Sequence, residues 1–173
     1  SLTHNYRQVY ELAQMAYNYR QLLDNKEFVD IQNEYFENQK GFDKPKYYLF
    51  VDSIAIGKIL QDLLQYRNDT FLQTFPIAFV CQNHHKQQIT NIKNNLNLQD
   101  KDLQILDVNQ VQGKQYPIVI AIIDKIIDDN LLYVILTRAQ YSLTMLSFEE
   151  KIIHNNIEKL AQHKNIKVIK LSK

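Results

Sequence analysis

Arg138 stands in the stretch LLYVILTRAQ, residues 131–140, in which six apolar residues run unbroken into Thr137 and Arg138. An arginine at the end of a core run is costly to bury, so it requires either water or a strongly anionic partner. A second stretch, VNQVQGKQYPIVIAIID from Val108 to Asp124, leaves one apolar run, crosses a polar loop and enters a very apolar one. The loop holds Gly113, one of only three glycines in the chain. A glycine there lets backbone approach a ligand closely, although a plain connection between neighbouring strands accounts for it equally well.

Other residues offer chemistry that their surroundings do not support. His84-His85 is a tempting metal pair, but adjacent residues on a helix point about 100° apart and suit an ion badly without further ligands. A solvated helix start is the simpler reading, and no metal site is expected. In SIAIGKIL, Gly57-Lys58 is followed by Ile59 where a magnesium-binding Ser or Thr would stand, and the first glycine of a phosphate loop is absent. A helix segment is expected there. No acidic strand end of Walker B type stands out. Tyr47-Tyr48 and the other tyrosines could stack on bases, and Lys26, Lys40, Lys44 and Lys46 could touch phosphates. Core packing and a solvated connection are the simpler readings.

The elements that must position these residues follow from periodicity. Apolar residues at Tyr6, Val9, Tyr10, Leu12, Ala13, Ala16 and Tyr17 predict an amphipathic helix within Asn5–Asp24. Residues 25–46 are polar and read as a long connection. Strands are expected at Tyr47–Val51, Ile77–Cys81, Leu103–Val108, Pro117–Ile123, Ser142–Phe148 and Ile166–Leu171. Helices are expected at Ile54–Tyr66, capped by Asp52 or Ser53, at Asn83–Leu96, from Asn130 to about Gln140, and at Glu149–His163. Several strands are apolar on both faces, which predicts a mostly parallel sheet covered by helices on both sides, a three-layer α/β domain.

With 173 residues, the chain suits one domain, residues 1–173, with a sizeable core. Lys plus Arg is 20 against 19 for Asp plus Glu, so net charge gives no steer towards nucleic acid. No apolar run approaches the ~20 residues of a membrane span, and the amino terminus lacks a basic-then-apolar signal pattern. No membrane partner is therefore expected. Cys81 is the only cysteine, which excludes an intrachain disulfide or a cysteine zinc site and favours an intracellular setting, cytoplasm or nucleus.

Three stretches together resemble a known family. VNQVQGKQYPIVIAII is similar to motif V of the superfamily 1 helicases, the UvrD/Rep/PcrA group. LLYVILTRAQYSLTML is similar to their motif VI, matching at Tyr133, Val134, Thr137, Arg138 and Ala139. LTHNYRQVYELAQMA, from Leu2, is similar to motif IV. The resemblance spans the chain as the second RecA-like domain (2A), a phosphate-loop NTPase-like fold without the phosphate loop itself.

That resemblance implies an ATP-dependent DNA helicase or translocase. Its two arginines, Arg7 and Arg138, would reach ATP and Mg2+ held mainly by a first RecA-like domain in cis, as arginine suits developing phosphoryl charge. Tyr6 would stack on the adenine. Gly113 and Gln115 would approach the ribose and phosphates, and Thr137 would position the Arg138 segment. Asn109 and Gln110 would touch single-stranded DNA or RNA. No cofactor would be bound tightly by this domain alone, and alone it should not hydrolyse ATP. The chain departs from the family at Gln115, where Glu is usual, at Asn109, where His is frequent, and at Asp107, where Thr is usual. Gln112 replaces the Lys of some members. A degenerate module serving as a nucleic-acid or protein scaffold is the alternative, and an unrelated α/β binding domain is a third reading.

Overall fold

The computed structural model describes residues 8–32 and 42–172. Six strands form one all-parallel sheet: β1 (Lys46–Leu49), β2 (Ile77–Cys81), β3 (Leu103–Asp107), β4 (Tyr116–Ile122), β5 (Ala139–Leu146) and β6 (Lys167–Lys170). Their order across the sheet is β3-β2-β4-β5-β1-β6. Among the described residues five α-helices connect or flank them: α1 (Tyr10–Leu23), α2 (Ser53–Asn68), α3 (Lys86–Asn95), α4 (Asp129–Leu136) and α5 (Asn155–Gln162). The expected α/β three-layer architecture is the one observed.

Side-chain alternation along the strands divides the core in two. Tyr47, Val80, Val119, Ala121, Leu143 and Met145 point to one face, where Leu12, Met15 and Tyr19 of α1, Leu132 and Ile135 of α4 and Ile157 and Leu160 of α5 cover them. Phe79, Cys81, Leu103, Ile118, Ile120 and Ile122 point to the other, under Ile56 and Leu60 of α2 and Ile89 and Ile92 of α3. Every residue of β2 is buried. No helix among the described residues is long and apolar enough to cross a membrane.

Local chemistry sets the element ends. Asp52 accepts the Ala55 N–H at 2.8 Å to start α2, and Asp128 accepts the Leu131 N–H at 2.8 Å to start α4. With glycine scarce, α1, α3 and α5 are each followed by a non-glycine residue at positive φ: Asn25 at 55°, Asn97 at 55° and Lys164 at 60°.

Among the element boundaries that differ from the sequence reading are those of α1, α4 and α5. α1 begins at Tyr10, because the backbone of Val9 is extended (φ −65°, ψ 161°) and its N–H bonds the Gln140 carbonyl at 2.9 Å; the expected turn at residues 5–7 lies outside the described residues. α4 ends at Leu136, where the Thr137 hydroxyl turns back to the Tyr133 and Val134 carbonyls and β5 starts at Ala139. α5 is confined to Asn155–Gln162, since residues 149–154 are spent on an irregular passage across the sheet end. There the Phe50 N–H bonds the Glu149 carbonyl.

Arg67, at the end of α2 and only 6% exposed, ties that helix to the entrance of β3. It donates to the Lys101 carbonyl at 3.2 Å and to the Asp102 carboxylate at 3.1 Å. Burial pushes the Asp102 pKa up, but the Gln99 N–H and the Arg67 guanidinium outweigh it, and the group titrates below its usual value. Its ionised form therefore stabilises the fold above the unfolded-state pKa, and that contribution is lost as pH falls through the lowered one. Arg67→Met should reduce the urea unfolding free energy by about 3 kcal/mol, because it strands Asp102 and several carbonyls. Asp102→Asn should be less stable than the parent at neutral pH, with the gap closing below about pH 4.

Candidate functional site

The amino ends of β4 and β5 gather residues that are far apart in the chain. α4 delivers Thr137 and Arg138 there, and α1 steadies α4: the Tyr19 hydroxyl donates to the Asp129 carbonyl at 3.0 Å, and its ring stacks on Tyr133 at 6.2 Å. The Thr137 hydroxyl closes the helix and accepts from Arg138 Nη2 at 3.0 Å. The threonine thus bonds both the helix end and the neighbouring guanidinium.

Two side-chain amides rivet this corner. Gln8, 2% exposed, donates from Nε2 to the Leu136 carbonyl at 3.1 Å and to the Ala139 carbonyl at 3.0 Å. Gln115 donates from Nε2 to the Thr137 carbonyl at 2.9 Å. The Tyr116 N–H completes the join to the Arg138 carbonyl at 2.9 Å. Burial raises the pKa of the Tyr116 phenol, and the positive charge of nearby Arg138 opposes that rise. Gly113 stands just before, at φ 76°; a Cβ there would meet nothing within 4 Å, so the backbone angle, not space, is what selects glycine.

Of the residues expected at a nucleotide, Gly113, Gln115, Thr137 and Arg138 come together here. Tyr6 and Arg7 lie outside the described residues, but their neighbour Gln8 is seated on the corner. Asn109 and Gln110 are elsewhere, in a 3-10 turn (Val108–Val111) after the carboxyl end of β3. Asp107 caps that turn by accepting the Asn109 N–H at 2.9 Å, while Gln110 Oε1 accepts the Asp107 N–H at 2.7 Å. The acid at position 107 therefore has a structural task. Gly57-Lys58 sits inside α2, not in a loop.

The sequence reading missed two features. Gln8 lies within a quoted motif but carried no role, and nothing local marks an amide that will bond two carbonyls more than a hundred residues away. His84 and His85 open the helical segment as expected and His84 is exposed, but the His85 side chain is only 14% exposed and both meet Asp124 after the carboxyl ends of β2 and β4. The available signal was that both segments directly follow apolar strands.

No protein-family model matches the chain, and no curated protein matches it. An ionised Glu at position 115 could not donate to the Thr137 carbonyl as the Gln115 amide does. Gln115→Glu is expected to lower the urea unfolding free energy by about 1 kcal/mol at neutral pH. Equal or greater stability would show that this rivet contributes nothing.

Proposed function

We propose that this chain is the second motor domain of an ATP-dependent superfamily 1 DNA helicase or translocase. The observation that carries the reading is the meeting of Gln8, Gln115, Thr137 and Arg138 at one end of the sheet. They come from the three stretches that resemble motifs IV, V and VI. In this reading the rim corner faces ATP and Mg2+ held by a first RecA-like domain. Arg138 and Arg7 fork onto the γ-phosphate as the cleft closes, and Tyr6 stacks on the base. Gly113 lets the loop approach the ribose and phosphates, with Gln115 and Thr137 holding its backbone. Asn109 and Gln110, at the opposite end of the sheet, contact single-stranded DNA or RNA, so closure at one end shifts the grip at the other.

A second reading, a degenerate module acting as a nucleic-acid or protein scaffold, is favoured by one observation. The Gln115 and Gln110 side chains are already engaged with this chain's own backbone. The two readings separate in the protein that joins this domain to its first RecA-like domain. The motor reading expects ATP hydrolysis stimulated by single-stranded DNA, falling by about a thousandfold in Arg138→Ala with the circular dichroism spectrum unchanged. Arg138→Lys should recover little, because a point charge does not replace a fork. Undiminished turnover in Arg138→Ala would overturn the assignment, and a parent protein without stimulated hydrolysis would favour the scaffold.

A further inference from the structure

The carboxyl end of the sheet holds a second cluster that the motor reading does not use. β2 and β4 are neighbours, yet the chain leaves them in opposite directions: α3 carries it to β3 at the sheet edge on one face, and α4 carries it to β5 on the other. This divergence is a topological switch point, where open parallel sheets form a ligand crevice. His84 and His85 follow β2, and Asp124 follows β4. With Ser147, Phe148 and Glu149 they line a crevice of about 250 Å³.

Both imidazoles aim the same atom at the same oxygen. His85 Nε2 lies 3.0 Å from Asp124 Oδ2, and His84 Nε2 lies 3.3 Å from it. One ligand atom from each of the three side chains falls within 4.8 Å of the others. Ligands bonded to an ion at 2.0–2.1 Å in a tetrahedron stand about 3.3 Å apart, so both histidine–carboxylate edges already have nearly that spacing. The supporting contacts hold it in place. Asp124 Oδ1 accepts the Ile126 N–H at 3.1 Å, which turns Oδ2 towards the histidines. His154 Nε2 bonds the Asp124 carbonyl at 2.8 Å, and Phe148 stacks on His85 at 5.5 Å. Metal ligands are oriented by such outer partners.

We propose that His84, His85 and Asp124 form a binding site for a divalent first-row transition-metal ion. Two imidazoles and one carboxylate select an ion such as Zn2+, Co2+ or Fe2+ over the hard cations Mg2+ and Ca2+. Three protein ligands leave at least one coordination position facing the crevice, open to water or an oxygen ligand. The Lys125–Glu149 pair, 3.4 Å apart, stands at its rim. The site is independent of the nucleotide corner, which lies at the other end of β4.

Titration of the chain with Zn2+ by calorimetry, and with Co2+ by visible absorption, tests this. About one ion per chain is expected, with a Co2+ spectrum of low coordination number and no competition from millimolar Mg2+. His84 is 57% exposed, so His84→Ala should fold normally and bind Zn2+ at least about tenfold more weakly. Asp124→Asn should weaken binding similarly, and His163→Ala, on the surface elsewhere, should bind as the parent does. Absence of Zn2+ or Co2+ binding by the parent, displacement by Mg2+, or His84→Ala binding as tightly as the parent would each overturn the proposal.

Discussion

The parallel pairing of β4 with β5 is the constraint on which the rest of the molecule depends. Ile118 to Ile122 are five consecutive buried residues at the middle of the sheet. Parallel neighbours cannot be joined by a hairpin, so the chain must return the full length of the sheet over one face before pairing again. The crossover starts at the carboxyl end of β4 and finishes at the amino end of β5. Asp124 stands at its start and Arg138 at its finish. One connection thus places a carboxylate and a guanidinium at opposite ends of the same pair of strands, the first beside two histidines and the second beside the Thr137 hydroxyl.

At the amino end, the difficulty is a helix that stops and a strand that starts within three residues. The last carbonyls of a helix have no partners within it. Here Thr137 N–H, the Thr137 hydroxyl, Gln8 and Gln115 supply them. A buried polar group left without a partner costs about 1–3 kcal/mol, so this web decides whether the corner is rigid. Arg138 stands on backbone that is held from three directions, and its half-buried guanidinium bonds the Thr137 hydroxyl. The carboxyl end is built differently. Its polar groups are side chains that meet each other in a crevice opened by diverging helices, and the backbone plays the supporting part through Ile126 and the Asp124 carbonyl.

How much of this was legible varied with the range of the interaction involved. Ile77–Cys81 is a strand in sequence and in structure because an unbroken apolar, β-favouring run has few alternatives when both faces are covered. The Asp52 cap and the Gly113 turn were also local signals. The end of α4 was not. Residues 137–140, Thr-Arg-Ala-Gln, contain no helix breaker, yet 137–138 form a turn and the pairing of Ala139 with Tyr116 opens β5 there. α5 was read too long for a related reason: residues 149–154 have helical spacing but are claimed by contacts across the sheet end.

The sequence by itself determined the fold class and the place of Arg138 beyond a core run, because both follow from hydrophobic periodicity over a few residues. It also grouped Gly113, Gln115, Thr137 and Arg138, through the resemblance their stretches carry. Only the tertiary structure decided that Gln8 would join them and that Asn109 and Gln110 would lie apart at the opposite end. It alone decided that His84 and His85 would share one oxygen of Asp124. The reason is strand order: β2 and β4 are neighbours although β3 lies between them in the chain, and no local pattern encodes which strands become neighbours.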